Sequence, residues 1–149
     1  MKAPNRIRKV VVAGLGAAAL LMAGCAEMTG FVHGGKTVNV TLSGTQQVPP
    51  VNSSGRGEGA ITVADDGTVT GNVRTIGVDG VAAHIHTGAR GQNGPVAVGM
   101  VKSGEHTWGF PAGARMNEAQ LAAFRAGNTY VNVHTAANKG GEVRGQLMP

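Results

Sequence analysis

Apolar and polar residues alternate along most of this chain. Residues 37–43 (TVNVTLS), 57–63 (GEGAITV), 68–76 (TVTGNVRTI), 129–134 (TYVNVH) and 142–147 (EVRGQL) follow a period of two, which predicts strands with two unlike faces. Asp65-Asp66-Gly67 joins the second and third as a hairpin, with glycine supplying the positive φ of such turns. Ala82 to Thr87 (AAHIHT) predicts a further strand, entered through residues 77–80. Residues 95–101 (PVAVGMV) predict one continuous strand, residues 102–105 a turn, and residues 106–110 a short strand or edge. Pro49 and Pro50 fix φ and lack amide donors, so their segment is an extended edge or loop. One helix is predicted: Asn117 is its N-cap, Gln120 stands at capping-box spacing, Leu121 and Phe124 share a face, and Gly127 ends it. About eight short strands at close spacing with one short helix predict an all-β sandwich or closed barrel.

The N-terminus departs from this pattern. Lys2, Arg6, Arg8 and Lys9 precede an almost unbroken run of small apolar residues from Val10 to Ala23. That is the layout of a secretory signal, too short for a spanning helix. It ends in Leu21-Met22-Ala23-Gly24-Cys25, which resembles a bacterial lipobox, with Met22 where leucine is commoner. The resemblance implies cleavage before Cys25, lipid on its thiol and a membrane anchor. Ala26 in place of aspartate implies the periplasmic face of the outer membrane. The alternative is an ordinary signal peptide with an incidental cysteine. The expected organisation is a lipoprotein signal over residues 1–24, a lipidated Cys25 and flexible tether over 25–36, and one domain over 37–149. His33 falls in the tether and reads as solvated.

Removing the signal changes the charge balance. The whole chain carries a formal +5, but four of its 13 basic residues lie in the leader. Nine basic residues then face eight acidic ones, with no basic block and few aromatics. Nucleic acid is not an expected partner, because it needs a concentrated positive footprint. Cys25 is the sole cysteine, so no disulfide forms within the chain. The loop over residues 87–94 (TGARGQNG) is rich in glycine, yet no Lys-Ser/Thr follows and no helix opens after it, so it is not a phosphate cradle.

The candidate chemistry lies in three histidines. His84 and His86 are two apart in a strand, so they share a face with Cα atoms about 7 Å apart. His134 ends another alternating strand. Neutral imidazole is a good ligand for copper or zinc. A ligating histidine also needs its other ring nitrogen held. Asn132 shares a face with His134 and is a candidate for that task, as is Asp79. The competing reading makes all three histidines structural, with their nitrogens holding loop backbone. His106 has no specific context. Glu142 and Arg144 share a strand face and read as an ordinary polar pair, while Trp108 and Phe110 read as core cover. No Gly-x-Ser-x-Gly elbow and no conspicuous carboxylate pair offers a catalytic route.

Several stretches together carry a family resemblance. Leu42-Ser43-Gly44, Val48-Pro49-Pro50, Ala83-His84-Ile85-His86, Asn93-Gly94-Pro95-Val96, the Tyr130 to Thr135 run and the Gly141 to Leu147 run resemble, in that order, the chordin-type (CHRD) domain. The resemblance covers roughly residues 37 to 148. It implies an immunoglobulin-like Greek-key β-sandwich with distant similarity to copper/zinc superoxide dismutase, and no settled activity. The dismutase comparison implies metal ligation by His84, His86 and His134, with Arg144 facing the metal. The departures are equally plain: no disulfide, no His- and Asp-rich stretch between His86 and Pro95, and no fourth bridging histidine. Three functions stay open: a lipid-anchored envelope protein binding copper or zinc, a non-enzymatic adhesion module meeting a protein partner, and a dismutase-like metalloenzyme.

Overall fold

In the computed structural model, which describes residues 34–149, the alternating segments form nine strands. They are β1 (Gly35–Ser43), β2 (Arg56–Ala64), β3 (Val69–Ile76), β4 (Gly80–Thr87), β5 (Val96–Gly99), β6 (Val101–Gly104), β7 (Thr107–Gly109), β8 (Thr129–Thr135) and β9 (Val143–Leu147). The single helix α1 (Glu118–Arg125) carries the chain from β7 to β8. The expected leader, Cys25 and most of the expected tether, with His33, lie outside the described residues. Among the described residues no helix is long and apolar enough to cross a membrane.

All nine strands belong to one antiparallel sheet in the order β5-β4-β8-β9-β1-β2-β3-β7-β6. The sheet curls into a nearly closed barrel. Its two edge strands, β5 and β6, are consecutive in the chain, separated only by Met100. The predicted single strand over residues 95–101 is therefore two strands on opposite edges, and the predicted turn over 102–105 is mostly β6. The corner has a physical cause. Val98 and Met100 keep their side chains in the core, and the Met100 N–H bonds the Ala83 carbonyl at 3.0 Å. Val101 then turns out to solvent and the chain takes β7 as its new partner. Alternation alone does not reveal a change of partner, because Val96, Val98 and Met100 stay in phase across it.

The barrel interior takes one residue in two from nearly every strand. Val38, Val40 and Leu42, Ile61 and Val63, Ala83 and Ile85, Val131 and Val133, Val143 and Leu147 are all buried. Each large aliphatic contributes roughly 1.5–3 kcal/mol by leaving water. Trp108 is buried and Phe110 packs partly buried against the same core, as read from sequence. The helix begins as predicted. Asn117 Oδ1 accepts the Gln120 N–H at 2.9 Å, and the Asn117 N–H returns to Gln120 Oε1 at 2.8 Å. Phe124 is buried against the barrel, and Gly127 follows with φ +72°. At Gly67 the β2–β3 hairpin turns with φ +89°.

Strands β4, β8 and β9 depart from the simple inside–outside scheme. From Ala83 onward their odd-numbered residues face the barrel interior, yet Tyr130, Asn132, Arg144 and Gln146 on the outer face are buried as well. The loop over residues 88–95 and the segment over 44–55 lie on that face. Gln146 Nε2 donates to the Gly88 carbonyl at 2.9 Å, and Asn93 Nδ2 donates to the Val48 carbonyl at 2.7 Å, tying the two coverings together. The barrel thus has an apolar core inside and a thin polar one outside, and the outer one holds the histidines.

Candidate metal centre

Register builds the site. His84 lies opposite Asn132, which lies opposite Arg144; His86 lies opposite Tyr130, which lies opposite Gln146. Ala82 lies opposite His134. The period of two puts all these side chains on the outer face, so the histidines of β4 and β8 converge across one strand pair. One ligand atom from each of His84, His86 and His134 lies within 4.8 Å of the others. Two nitrogens at about 2.0–2.1 Å from a common ion are at most about 4.2 Å apart. In a tetrahedral site the separation is about 3.4 Å, so closing the widest pair needs up to roughly 1.4 Å of side-chain movement.

The hydrogen bonds decide which nitrogens are free. His86 Nδ1 lies 3.0 Å from the Gly94 carbonyl, and His134 Nδ1 lies 2.8 Å from the Lys139 carbonyl. A carbonyl only accepts, so each Nδ1 donates its N–H, and each neutral ring keeps its lone pair on Nε2. His86 Nε2 is buried and has no hydrogen-bond partner. His134 Nε2 lies 3.1 Å from His84 Nδ1. Since His134 Nε2 holds a lone pair, His84 Nδ1 carries the proton of that bond. His84 offers Nδ1 to an ion once its proton moves to Nε2 of the same ring. His86 thus already has the arrangement a ligand requires, one nitrogen fixed by a carbonyl and the other open, and His134 reaches it once the His84 proton leaves its Nε2.

Charge follows the same direction. Burial is the main cause lowering the His84 pKa below the ordinary imidazole value, followed by the nearby His134 and His86. Burial also lowers His86; its bond to Gly94 opposes this, and His134 and Arg144 reinforce it. Both rings are therefore held in the neutral form that binds metal.

Around the cluster, the His86 ring stacks on Tyr130 with centroids 5.0 Å apart and 5° between planes. Arg144 lies over Tyr130, its guanidinium carbon 3.4 Å from the ring centroid. Arg144 thus stacks on the ring that stacks on His86, and its charge also acts on His86. It does not pair with Glu142, which precedes β9 and binds Ser53 Oγ at 2.7 Å and Thr135 Oγ1 at 2.8 Å. Asn132 does not hold His134 directly. Its Nδ2 donates to the Gly140 carbonyl at 3.0 Å, next to the Lys139 carbonyl that does. Gly141, with φ +118°, completes this turn, and a β-carbon there would run into the side chains of Asn132 and Gln47. Asp79 is exposed and His106 half-buried, and both lie outside the cluster. Tyr130, Gly94 and Lys139 were not among the residues singled out from sequence. Tyr130 was within reach, since Tyr130, Asn132 and His134 fall two apart; the two carbonyls leave no mark in side-chain identity.

The fold and cluster define a class: a nearly closed antiparallel barrel carrying three imidazoles on a loop-covered outer face. The family model for the CHRD domain matches residues 38–147, and the chain belongs to that family. No curated protein sequence and no solved structure matches the chain.

Proposed function

We propose that this CHRD protein binds one transition-metal ion, copper or zinc, through His84, His86 and His134, while held at the cell envelope by lipid on Cys25. The observation that carries the metal reading is His86 Nε2, a buried lone pair without a partner beside two further imidazoles. An unpaired buried acceptor costs about 1–3 kcal/mol, and a bound ion removes that cost. When bound, the ion supplies a positive Lewis-acidic centre. The chain's own residues orient the ligands, through Gly94 and Lys139, and keep bulk water from the His86 side. Storage, delivery or protection against the free ion fits such a site at the periplasmic face of the outer membrane. The lipobox-like run ending at Cys25 supports the anchor.

The test is metal content. The full chain, purified in detergent, is loaded with copper or zinc, and bound ion is counted for the parent and for His84→Ala, His86→Ala and His134→Ala. The parent retains one ion and each variant loses most of it. Equal retention by all four proteins overturns the reading. A second reading rests on the 3.1 Å bond between His84 and His134, in which the histidines only pin loops. It predicts no retained ion and an envelope protein captured by the metal-free chain. Labelling cells with a radioactive fatty acid tests the anchor, which Cys25→Ser abolishes.

A further inference from the structure

Beyond the histidines, the polar layer borders a cavity of about 340 Å³ between the segment over residues 45–50, the loop at Arg90 and Gly91, and the β9 side chains Arg144 and Gln146. None of the three histidines lines it. Its charge is one-sided. Arg144 is only 1% exposed, yet its hydrogen-bond partners are all neutral: Asn93 Oδ1 at 3.4 Å, the Ala89 carbonyl at 3.2 Å and Gln146 Oε1 at 3.2 Å. Among the described residues no ion pair involves Arg144 or Arg90. Buried charges are ordinarily paired, and a guanidinium has five N–H groups, more than these three bonds use. Burial lowers the Arg144 pKa; Tyr130 opposes this and Arg90 adds to it, so the fold leaves the guanidinium short of negative charge. Val48 and Pro50 add an apolar wall to the same cavity.

We propose that this cavity binds a small organic carboxylate, its head group held by Arg144 and Arg90 and its hydrocarbon body against Val48 and Pro50. The planar fork of a guanidinium matches a carboxylate, and the apolar wall disfavours a fully hydrated inorganic anion. The carboxylate comes from a free organic acid or from the C-terminus of a short peptide. The site uses none of the three histidines, and Arg144 makes no hydrogen bond to any of them.

The experiment titrates the full chain in detergent, freed of metal on a chelating resin, with hexanoate, N-acetyl-valine, hexanamide and inorganic phosphate, read by calorimetry. Hexanoate and N-acetyl-valine bind saturably and compete with one another; whichever is tighter identifies the source. Hexanamide does not bind. Arg90→Gln, at an exposed position, weakens hexanoate about fivefold, as expected for one exposed charge contact, and Arg90→Glu weakens it further. Metal retention is unchanged in both variants. Absence of saturable binding, equal binding of hexanamide, displacement of hexanoate by phosphate at equal concentration, or parent-like affinity in Arg90→Glu each overturns the proposal.

Discussion

The imidazole of His86 lies face to face with the phenol of Tyr130, 5.0 Å between centroids and nearly parallel. Tyr130 also accepts the Gly94 N–H on its hydroxyl at 3.2 Å, while the Gly94 carbonyl accepts from His86. One residue of the covering loop is thus clamped by both rings. Tyr130→Phe keeps the stack and loses the hydroxyl bond. It should cost about 1 kcal/mol in urea unfolding and leave metal content intact. Tyr130→Ala removes a buried ring and should cost about 3–5 kcal/mol. Equal stability of the two variants would show that the stack contributes nothing.

Metal should stabilise the folded chain. A ligand that binds only the native state, at 100 times its dissociation constant, adds about 2.7 kcal/mol. Zinc or copper should therefore raise the urea midpoint of the parent. The midpoint of His134→Ala should not move, because the ring anchored on Lys139 is gone. A midpoint that rises equally in both proteins would place the ion elsewhere.

Acid should weaken the metal-free fold in two stages. His84 and His86 have lowered pKa values, so between the folded and unfolded values the unfolded chain binds more protons. Their contribution is complete above about pH 6.5 and is lost as the pH falls through the folded values. Glu142 adds a lower window. Burial alone would raise its pKa, but bonds from Ser53, Thr135 and Asn138 together outweigh that and lower it. Its contribution is lost as the pH falls below the ordinary carboxylate range. Urea midpoints from pH 7.5 down to 3.5 should show both losses. His84→Gln with His86→Gln should flatten only the first, and Glu142→Gln only the second.

Gly141 should tolerate no side chain. Its φ of +118° and the nearby Asn132 and Gln47 leave no room for a β-carbon. Gly141→Ala should cost about 1–3 kcal/mol in stability. Because the same turn presents the Lys139 carbonyl to His134, the variant should also hold metal less tightly than the parent. A loss of stability with unchanged metal affinity would separate the turn from the site.

Much of the barrel was legible because each strand with one polar face declares itself by period. Thr37, Asn39 and Thr41 alternate with Val38, Val40 and Leu42, and β1 runs over them, beginning slightly earlier at Gly35. The His84, His86 and His134 cluster was legible by the same rule, since same-face residues on neighbouring strands meet. What stayed hidden depends on backbone or on pairing. The corner at Met100 is invisible because the apolar phase does not change there. The partners of His86 and His134 are carbonyls, which every residue carries. Arg144 and Glu142 share a parity in sequence, yet the covering loops draw them to different partners, and no local pattern records that.

The corner at Met100 also bears on how the protein behaves at high concentration. Open sheet edges invite other chains to add strands and so to aggregate. Here the outer strands of the sheet, β5 and β6, are each only four residues long and joined by a single residue. A nine-stranded sheet therefore offers foreign strands two very short templates. Copies of the protein can therefore be packed densely with little risk of strand exchange between neighbours.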